Sequence, residues 1–311
     1  MSTPSLRIGS RSSELALLQT ELAIKAISAA TPGITTEVIP INTAGDMRTD
    51  IPLCKVNKAT KTQDKGVFIA ALEEALADGR IDCAVHSLKD MPGTLDERFE
   101  VAAILPRENI WDALVIKEGA NMERPTIGTS SVRRTNLIRN YWSGTAKAVS
   151  IRGNVATRLQ KLIDTPDMDA IVLARAGLNR LGYTGSVIEF NGSRLHVVEM
   201  AKDSFMPAFC QGAIAIEIRK GDAATKALVA PANDTASEVT IRAERAFLAE
   251  LQADCSVPVG GYATCNRDLM MFRAIYYTPN GMPIRITHRG SSTDPERVGR
   301  EACAMLKQQL S

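Results

Sequence analysis

Four short stretches of the chain pair basic side chains with hydroxyls, each just beyond a β-rich run. The first gives Ser10, Arg11 and Ser13; the second, VHSLKDMP, gives Ser87, Lys89 and Asp90. The third, GTSSVRR, gives Thr129, Ser130, Ser131, Arg133 and Arg134, and the fourth, IRGNVATR, gives Arg152, Gly153, Asn154 and Arg158. Arg180 follows in AGLNRLG. Arginine's planar fork grips a carboxylate or phosphate through two parallel hydrogen bonds. From Arg124 to Arg180 there are eight Arg and two Lys against three Asp and no Glu, a net +7 in a chain of net +2. A single Arg in a first helical turn opposes the helix dipole and is ordinarily solvated. Four such stretches on corresponding strand ends instead suit a cleft for a ligand with several carboxylates. Asp90 is the one acid in the set. It suits an Asx-type turn before Pro92, or the stabilisation of a developing cation and the transfer of a proton.

A thiol adds a second kind of chemistry. Cys255 sits in LQADCSVPVGG, a loop just after a helix, where a thiol serves as nucleophile or attachment point. Neighbouring Asp254 disfavours its thiolate. Cys83, in the middle of a β-rich run, reads as core filler, His86 as packed at its strand end, and His196 and His288 as structural or exposed.

These residues must be carried by an α/β frame. Leu6–Gly9, Glu37–Ile41, Ile81–His86, Val101–Leu105 and Ala113–Ile116 read as strands. Ser12 or Ser13 caps a helix to about Ser28, with Leu15, Leu18 and Leu22 on one face, and Gly66–Ala77 is a second helix. Thr126–Gly128, Ala146–Ile151 and Asp169–Ala174 each lead into a further helix, which predicts parallel sheets. Ala213–Ile218 is a late strand suited to return to the first sheet. The last third differs: a helix over Ser237–Ala253, three strands (Val259–Cys265, Met270–Thr278, Ile284–Arg289) with an Asn280-Gly281 hairpin signal, and a final helix over Glu296–Gln309. Asn42–Lys65 is a long Lys-bearing connection of the kind that usually serves function.

Composition narrows the classes. A chain of 311 residues with 45% hydrophobic and 23% charged residues is that of a globular protein of two or three domains. No apolar run reaches the ~20 residues of a bilayer span, and MSTPSLRIGS has no signal-peptide core, so a cytoplasmic chain without membrane contact is expected. Six Cys without paired spacing and three distant His predict reduced thiols and no metal site. A pI of 8.2 and only Tyr141 and Trp142 as aromatics in the Arg-rich stretch argue against nucleic acid.

Taken together, LRIGSRSSELALLQT, VHSLKDMP, GTSSVRR, IRGNVATRL, AGLNRLG and CSVPVG closely resemble the porphobilinogen deaminase (hydroxymethylbilane synthase) family, in its order and near its spacing. The resemblance implies an α/β fold of two periplasmic-binding-protein-like (type II) domains plus a C-terminal α+β domain. The implied boundaries are 1–108 with 212–230, then 109–211, then 231–311. It implies an enzyme that condenses four porphobilinogen molecules head to tail with loss of ammonia, starting from a covalent dipyrromethane cofactor, and a monomer. By resemblance, Cys255 is the thioether attachment point and Asp90 the catalytic carboxylate. Arg11, Ser13, Lys89, Ser131, Arg133, Arg134, Arg152, Arg158 and Arg180 match positions that hold acetate and propionate arms. Ser87, Thr129, Ser130, Gly153 and Asn154 complete that cofactor-binding set. Lys55 and Lys65 match loop lysines, Phe68 an aromatic beside the cofactor, and Gln211 an interdomain glutamine.

Four departures stand against the family pattern. Ala253-Asp254 replaces Gly-Gly before the cysteine, and the connection after Lys55 is about six residues longer. Phe209-Cys210 replaces Val-Gly before Gln211, and Arg175 replaces a small apolar residue. None removes a charged catalytic position. The rival readings are a two-domain solute-binding or effector-sensing module, and a non-catalytic homologue.

Overall fold

The computed structural model describes residues 5–42, 69–253 and 257–310. The described residues form three sheets. The first contains β1 (Ser5–Arg11), β2 (Thr35–Ile41), β3 (Cys83–Ser87), β4 (Phe99–Ile104) and β11 (Ile214–Arg219) in the order β2-β1-β3-β11-β4. The second contains β5 (Asp112–Lys117), β6 (Thr126–Gly128), β7 (Lys147–Val149), β8 (Ala170–Ala174), β9 (Val187–Phe190) and β10 (Ser193–Glu199), in the order β7-β6-β8-β5-β10-β9.

The two sheets share one plan. Three parallel strands are followed by one antiparallel strand that the chain contributes from the other side of a crossover: β11 in the first sheet, β5 in the second. This is the two-domain α/β fold expected, with one correction: alternation alone predicts wholly parallel sheets, and the crossover strands run against it. The late return strand expected at Ala213–Ile218 is β11. The β9–β10 hairpin goes unpredicted, although it turns at Asn191-Gly192, whose φ values of +47° and +77° are those a two-residue hairpin favours.

Helices α1 (Glu14–Ala30) and α2 (Ala70–Ala77) follow strands of the first sheet, and α3 (Val132–Tyr141), α4 (Val155–Asp164) and α5 (Arg175–Arg180) those of the second. All but α2 begin just beyond the carboxyl end of a strand, which is where the basic stretches lie. Ser131 and Asn154 cap α3 and α4, their side chains accepting from the N–H groups of Arg134 and Thr157. Ser13 occupies the N-cap of α1, yet its side chain makes no capping bond.

The buried face of α1 differs from expectation. Gln19, Thr20, Ala23 and Ile27 are buried, while Leu15 and Leu18 are half-buried and Leu22 is 40% exposed. The polar pair decides the rotation, because its groups find partners beneath the strand ends. Thr20 Oγ1 lies 2.8 Å from Ser10 Oγ, and Gln19 Nε2 donates to Ser87 Oγ at 2.8 Å.

After α6 (Ala223–Val229), the chain forms α7 (Thr235–Leu251), an antiparallel sheet of β12 (Val259–Asn266), β13 (Leu269–Tyr277) and β14 (Pro283–Ser291), and α8 (Pro295–Leu310). This is the small α+β domain. Its core takes in the second crossover: Phe209 packs against Phe247 and Phe272, with ring centroids 5.0 and 5.7 Å apart. The adjoining Cys210 has φ +59°, a left-handed conformation that favours the glycine usual there. Burial, with Glu244 adding to it, pushes the Cys210 thiol up to about 12, so this cysteine is a neutral core group.

Glu244 of α7 fixes both crossovers to this domain. Its fully buried carboxylate accepts from both terminal nitrogens of Arg107 at 2.6 and 3.0 Å, from Cys210 N at 2.5 Å and from Ala263 N at 2.9 Å. Arg107 also donates to the Gln211 carbonyl at 2.9 Å. Removing one partner of a buried, fully bonded pair strands the other, at a cost of about 3–5 kcal/mol. Glu244→Ala should therefore lower the free energy of unfolding by about that amount, as read from denaturant midpoints, whereas breaking an exposed pair such as Lys307–Glu250 should leave the midpoint nearly unchanged.

Candidate functional site

The carboxyl ends of β1, β3, β6 and β7 open on one side, and α5 follows β8. The structure brings these ends together around a buried hydrogen-bonded chain. Asp112, at the start of β5, is completely buried. Its Oδ2 accepts from Arg133 at 2.9 Å, and its Oδ1 from Arg134 at 2.7 Å and from Gln211 Nε2 at 2.9 Å. Gln211 Oε1 in turn accepts from Lys89 Nζ at 3.1 Å, and its Nε2 also donates to the Ile110 carbonyl at 2.8 Å. One amide thus joins the β3 turn, the crossover and the β5–α3 pair.

Electrostatics follow from this packing. Burial alone would raise Asp112; Arg133 and Arg134 outweigh it and, with the bonds from Arg134 and Gln211, hold the carboxyl well below the ordinary carboxylate range. Burial lowers Arg133, with Asp112 opposing. Lys89 is half-buried, and burial followed by Arg134 pushes its pKa down to about 8, with Asp90 and Asp112 opposing. Burial pushes Arg158 down to about 10, aided by Arg134 and Arg152 and opposed by Asp90. Lys89, Asp90, Arg134, Arg152 and Arg158 therefore sense one another in one partly dehydrated site. Arg134 depresses the pKa of Lys89 and, with Arg152, that of Arg158, so cations crowd this part of the site.

Asp90 ends a short 3₁₀ turn, Leu88–Asp90, beyond β3. Its side chain makes no hydrogen bond or ion pair with the described residues. The other predicted residues divide by what their side chains do. Arg133 lies under the site with both terminal nitrogens held, one by Asp112 and one by the Met206 carbonyl at 2.5 Å. Arg134 donates also to the Val172 carbonyl, and its buried Nε has no partner. Arg158 Nε donates to the Gly153 carbonyl at 2.6 Å, and Arg180 to the Gly212 carbonyl at 2.6 Å. Ser130 donates to the Ile151 carbonyl, while Thr129 accepts from Ser131 N. Asn154 serves α4 as its cap. Arg11 ends β1, with Ser13 two residues on. Cys255, Lys55, Lys65 and Phe68 lie outside the described residues.

Gly212, next to Gln211, is required as glycine. Its φ is +87°, and a Cβ there would sit 2.3 Å from the Glu108 carbonyl oxygen. The two crossovers touch at this point.

Sequence reasoning missed Asp112, Arg107, Glu244 and the buried pair of His86 Nε2 with Glu217 Oε2 at 2.9 Å. The signal for Asp112 was a lone acid opening the apolar run DALVI. Not every Arg of the basic stretch joins the site: Arg124 and Arg139 are exposed, and Arg175 donates to the Thr184 and Gly185 carbonyls, clamping the loop before β9.

The chemistry of the donor set fits a dipyrromethane. Its carboxylate arms need several guanidinium groups, and its pyrrole N–H groups need a carboxylate that the protein does not itself consume; Asp90 is such a group. Among the described residues, no group of three or more His, Cys, Asp or Glu is placed to hold a metal, and no helix is long and apolar enough to cross a membrane.

Asp112→Asn would leave two buried guanidinium groups without their counter-charge, a loss of about 3 kcal/mol or more. Because the folded pKa of Asp112 is depressed, its contribution is full above the unfolded carboxylate value near ~4 and fades as pH falls toward the lower folded value. The wild-type protein should lose stability across that acid window more steeply than Asp112→Asn, in chemical denaturation followed at several pH values.

Comparison with known proteins agrees with this geometry. Residues 6–227 match the family described as "Porphobilinogen deaminase, dipyromethane cofactor binding domain", and residues 239–308 match "Porphobilinogen deaminase, C-terminal domain". Porphobilinogen deaminase of Syntrophotalea carbinolica is 39% identical over 98% of this chain and 93% of its own length. That of a Roseiflexus species is 40% identical over 98% and 95%. Among solved structures, the methionine-binding protein MetQ superposes with a TM-score of 0.41 at 11% identity, over 74% of this chain and 90% of its own.

Proposed function

Since the chain belongs to the porphobilinogen deaminase family, we propose how its own residues perform that family's reaction. The protein is a transferase with a dipyrromethane cofactor, and it joins four porphobilinogen molecules head to tail into hydroxymethylbilane, with release of ammonia.

The observation that carries the assignment of roles is the Asp90 carboxylate, which makes no hydrogen bond or ion pair with the described residues and lies among Lys89, Arg134, Arg152 and Arg158. Each porphobilinogen brings two carboxylates, so the growing chain is a polyanion. Arg134, Arg152 and Arg158, with Arg11 and Arg180 at neighbouring strand ends, bind and orient the acetate and propionate arms. Ser13, Ser87, Thr129, Ser130, Ser131, Gly153 and Asn154 shape the loops around them, and Arg133 holds the floor. When bound, the dipyrromethane supplies a nucleophilic terminal pyrrole.

Asp90 accepts from pyrrole N–H groups. Loss of ammonia from porphobilinogen leaves a cationic azafulvene, and a fixed carboxylate in a dehydrated site stabilises that charge far better than water does. The same carboxylate takes the α-proton that leaves once the new carbon–carbon bond has formed. Lys89, tethered by Gln211, meets a carboxylate arm. Cys255 is the proposed thioether attachment point, with Lys55, Lys65 and Phe68 proposed contacts of the preceding connection. We assign residues 1–108 with 212–230, 109–211 and 231–311 to three domains, and a monomeric, cytoplasmic enzyme without nucleic-acid partners.

Two measurements test these roles. The intact mass of protein made with porphobilinogen available should exceed the polypeptide mass by one dipyrromethane, and Cys255→Ala should bring it back to the bare chain. A bare mass for the unaltered protein would remove the covalent cofactor from the account. Asp90→Asn should keep the adduct and lose turnover by about a hundredfold or more, in line with the removal of one charge-stabilising group. Near-normal ammonia release by the loaded variant would take Asp90 out of its role.

A further inference from the structure

The turn that carries Lys89 and Asp90 is built on the third domain as much as on the first. Leu88 and Met91, which flank the pair, are 1% and 5% exposed and sit in the same apolar cluster as Ile241 and Phe247 of α7 and Phe272 of β13. Two residues on, Gly93 lies directly against α7. A Cβ at Gly93 would stand 2.9 Å from both Ala249 N and Leu248 C, so the helix backbone and the turn approach to the limit that glycine allows. Arg245 of α7 then donates from Nη2 to the Gly93 carbonyl at 3.1 Å.

A guanidinium is a costly choice for that place. Burial pushes the pKa of Arg245 down; Cys210 and Glu217 oppose the shift. A methionine or leucine would fill the volume without desolvating a charge. The group's evident return is a directed donor at the carbonyl three residues beyond Asp90.

Its neighbour completes a circuit. Glu244 holds Arg107, which holds the Gln211 carbonyl, while the Gln211 side chain holds Lys89. From α7, one path runs through Arg245 and Gly93 to the catalytic turn, and the other through Glu244, Arg107 and Gln211 back to the same turn. A ring of bonds closed at both ends resists displacement of any one member. The helix that completes it ends at Leu251, four residues before Cys255.

We propose that Arg245 is a positioning residue for the reaction: by holding the Gly93 carbonyl it fixes the Asp90 carboxylate relative to α7, and so relative to the segment that bears Cys255. The third domain is then a mount for the catalytic turn as well as a carrier of the attachment cysteine. This rests on the role given to Asp90 above. A misplacement of the order of 1 Å at a reacting group costs up to about a hundredfold in rate.

The test uses the full-length, cofactor-loaded enzyme with porphobilinogen as substrate. Arg245→Met should lower kcat by about tenfold to a hundredfold while KM stays within about twofold, since the anion-binding groups are untouched. Its intact mass should still show the adduct. Arg245→Lys, which keeps one directed donor, should recover most of the lost kcat, and it is read beside Met so that the outcome does not hang on one variant's folding. Adding Arg245→Met to Asp90→Asn should cost little more than Asp90→Asn alone, because both act through one carboxylate. Unchanged kcat in loaded Arg245→Met, a Lys variant as impaired as the Met variant, or losses that multiply in the double variant would each overturn the proposal. Failure of the unaltered enzyme to release ammonia would count against the function itself, which keeps the two outcomes apart.

Discussion

The site depends on one buried carboxylate. Asp112 holds Arg133, Arg134 and Gln211 at once, and each of those reaches a different part of the molecule. Two guanidinium groups side by side repel each other, and in a dehydrated site that repulsion is large. A shared counter-ion lets them stand together, fixes their planes, and leaves the outer face of the cluster positive. Without it, adjacent Arg133 and Arg134 in a first helical turn would swing toward water. The anion-binding character of the site therefore originates in an anion of the protein itself, placed one layer beneath the cations.

From that carboxylate the order of the structure can be followed outward. Gln211 carries it to Lys89, and so to the turn on which Asp90 stands. The same residue's backbone passes to Arg107 and Glu244, which tie the crossovers to α7. Hydrogen bonds to ionised groups are the stronger kind, and every link but the glutamine amide involves a charge. A segment where two chain crossovers meet the third domain would otherwise be the most yielding part of a two-domain α/β protein. Here it is tied by several charge-assisted bonds, down to Cys210, held in a left-handed conformation by the bond from its N–H to Glu244.

How much of this the sequence shows depends on whether a signal is local. The basic strand ends and the α+β character of the last third are local patterns, and the structure has them where expected, whereas the cap expected at Ser12 or Ser13 is an N-cap at Ser13 that makes no capping bond. The β9–β10 hairpin is local too, since its Asn191-Gly192 turn is a two-residue hairpin signal. Asp112, Glu244 and Glu217 are of another kind. Asp112 and Glu217 each stand as the one acid of an apolar strand and Glu244 is one of three Glu in α7, and the meaning of each lies in a partner 21 or more residues away: Arg133, His86 and Arg107. The rotation of α1 is similar: three leucines suggest one face, and two long-range polar contacts choose another.

The charge count that singles out the Arg-rich stretch also changes meaning. Its net +7 overstates the site, since Arg124 and Arg139 are exposed and Arg175 fastens a loop. It also understates it, because Arg11 and Lys89 come from the other domain. What makes the site cationic is the imbalance at one place: Arg134 lowers the proton affinity of Lys89 and, with Arg152, that of Arg158, with Asp90 as a nearby acid. That imbalance explains why a single carboxylate can do so much. In a site already crowded with cations, the Asp90 carboxylate makes no hydrogen bond or ion pair with the described residues. An ionised, unpartnered carboxylate is what a pyrrole N–H and a transient positive charge require.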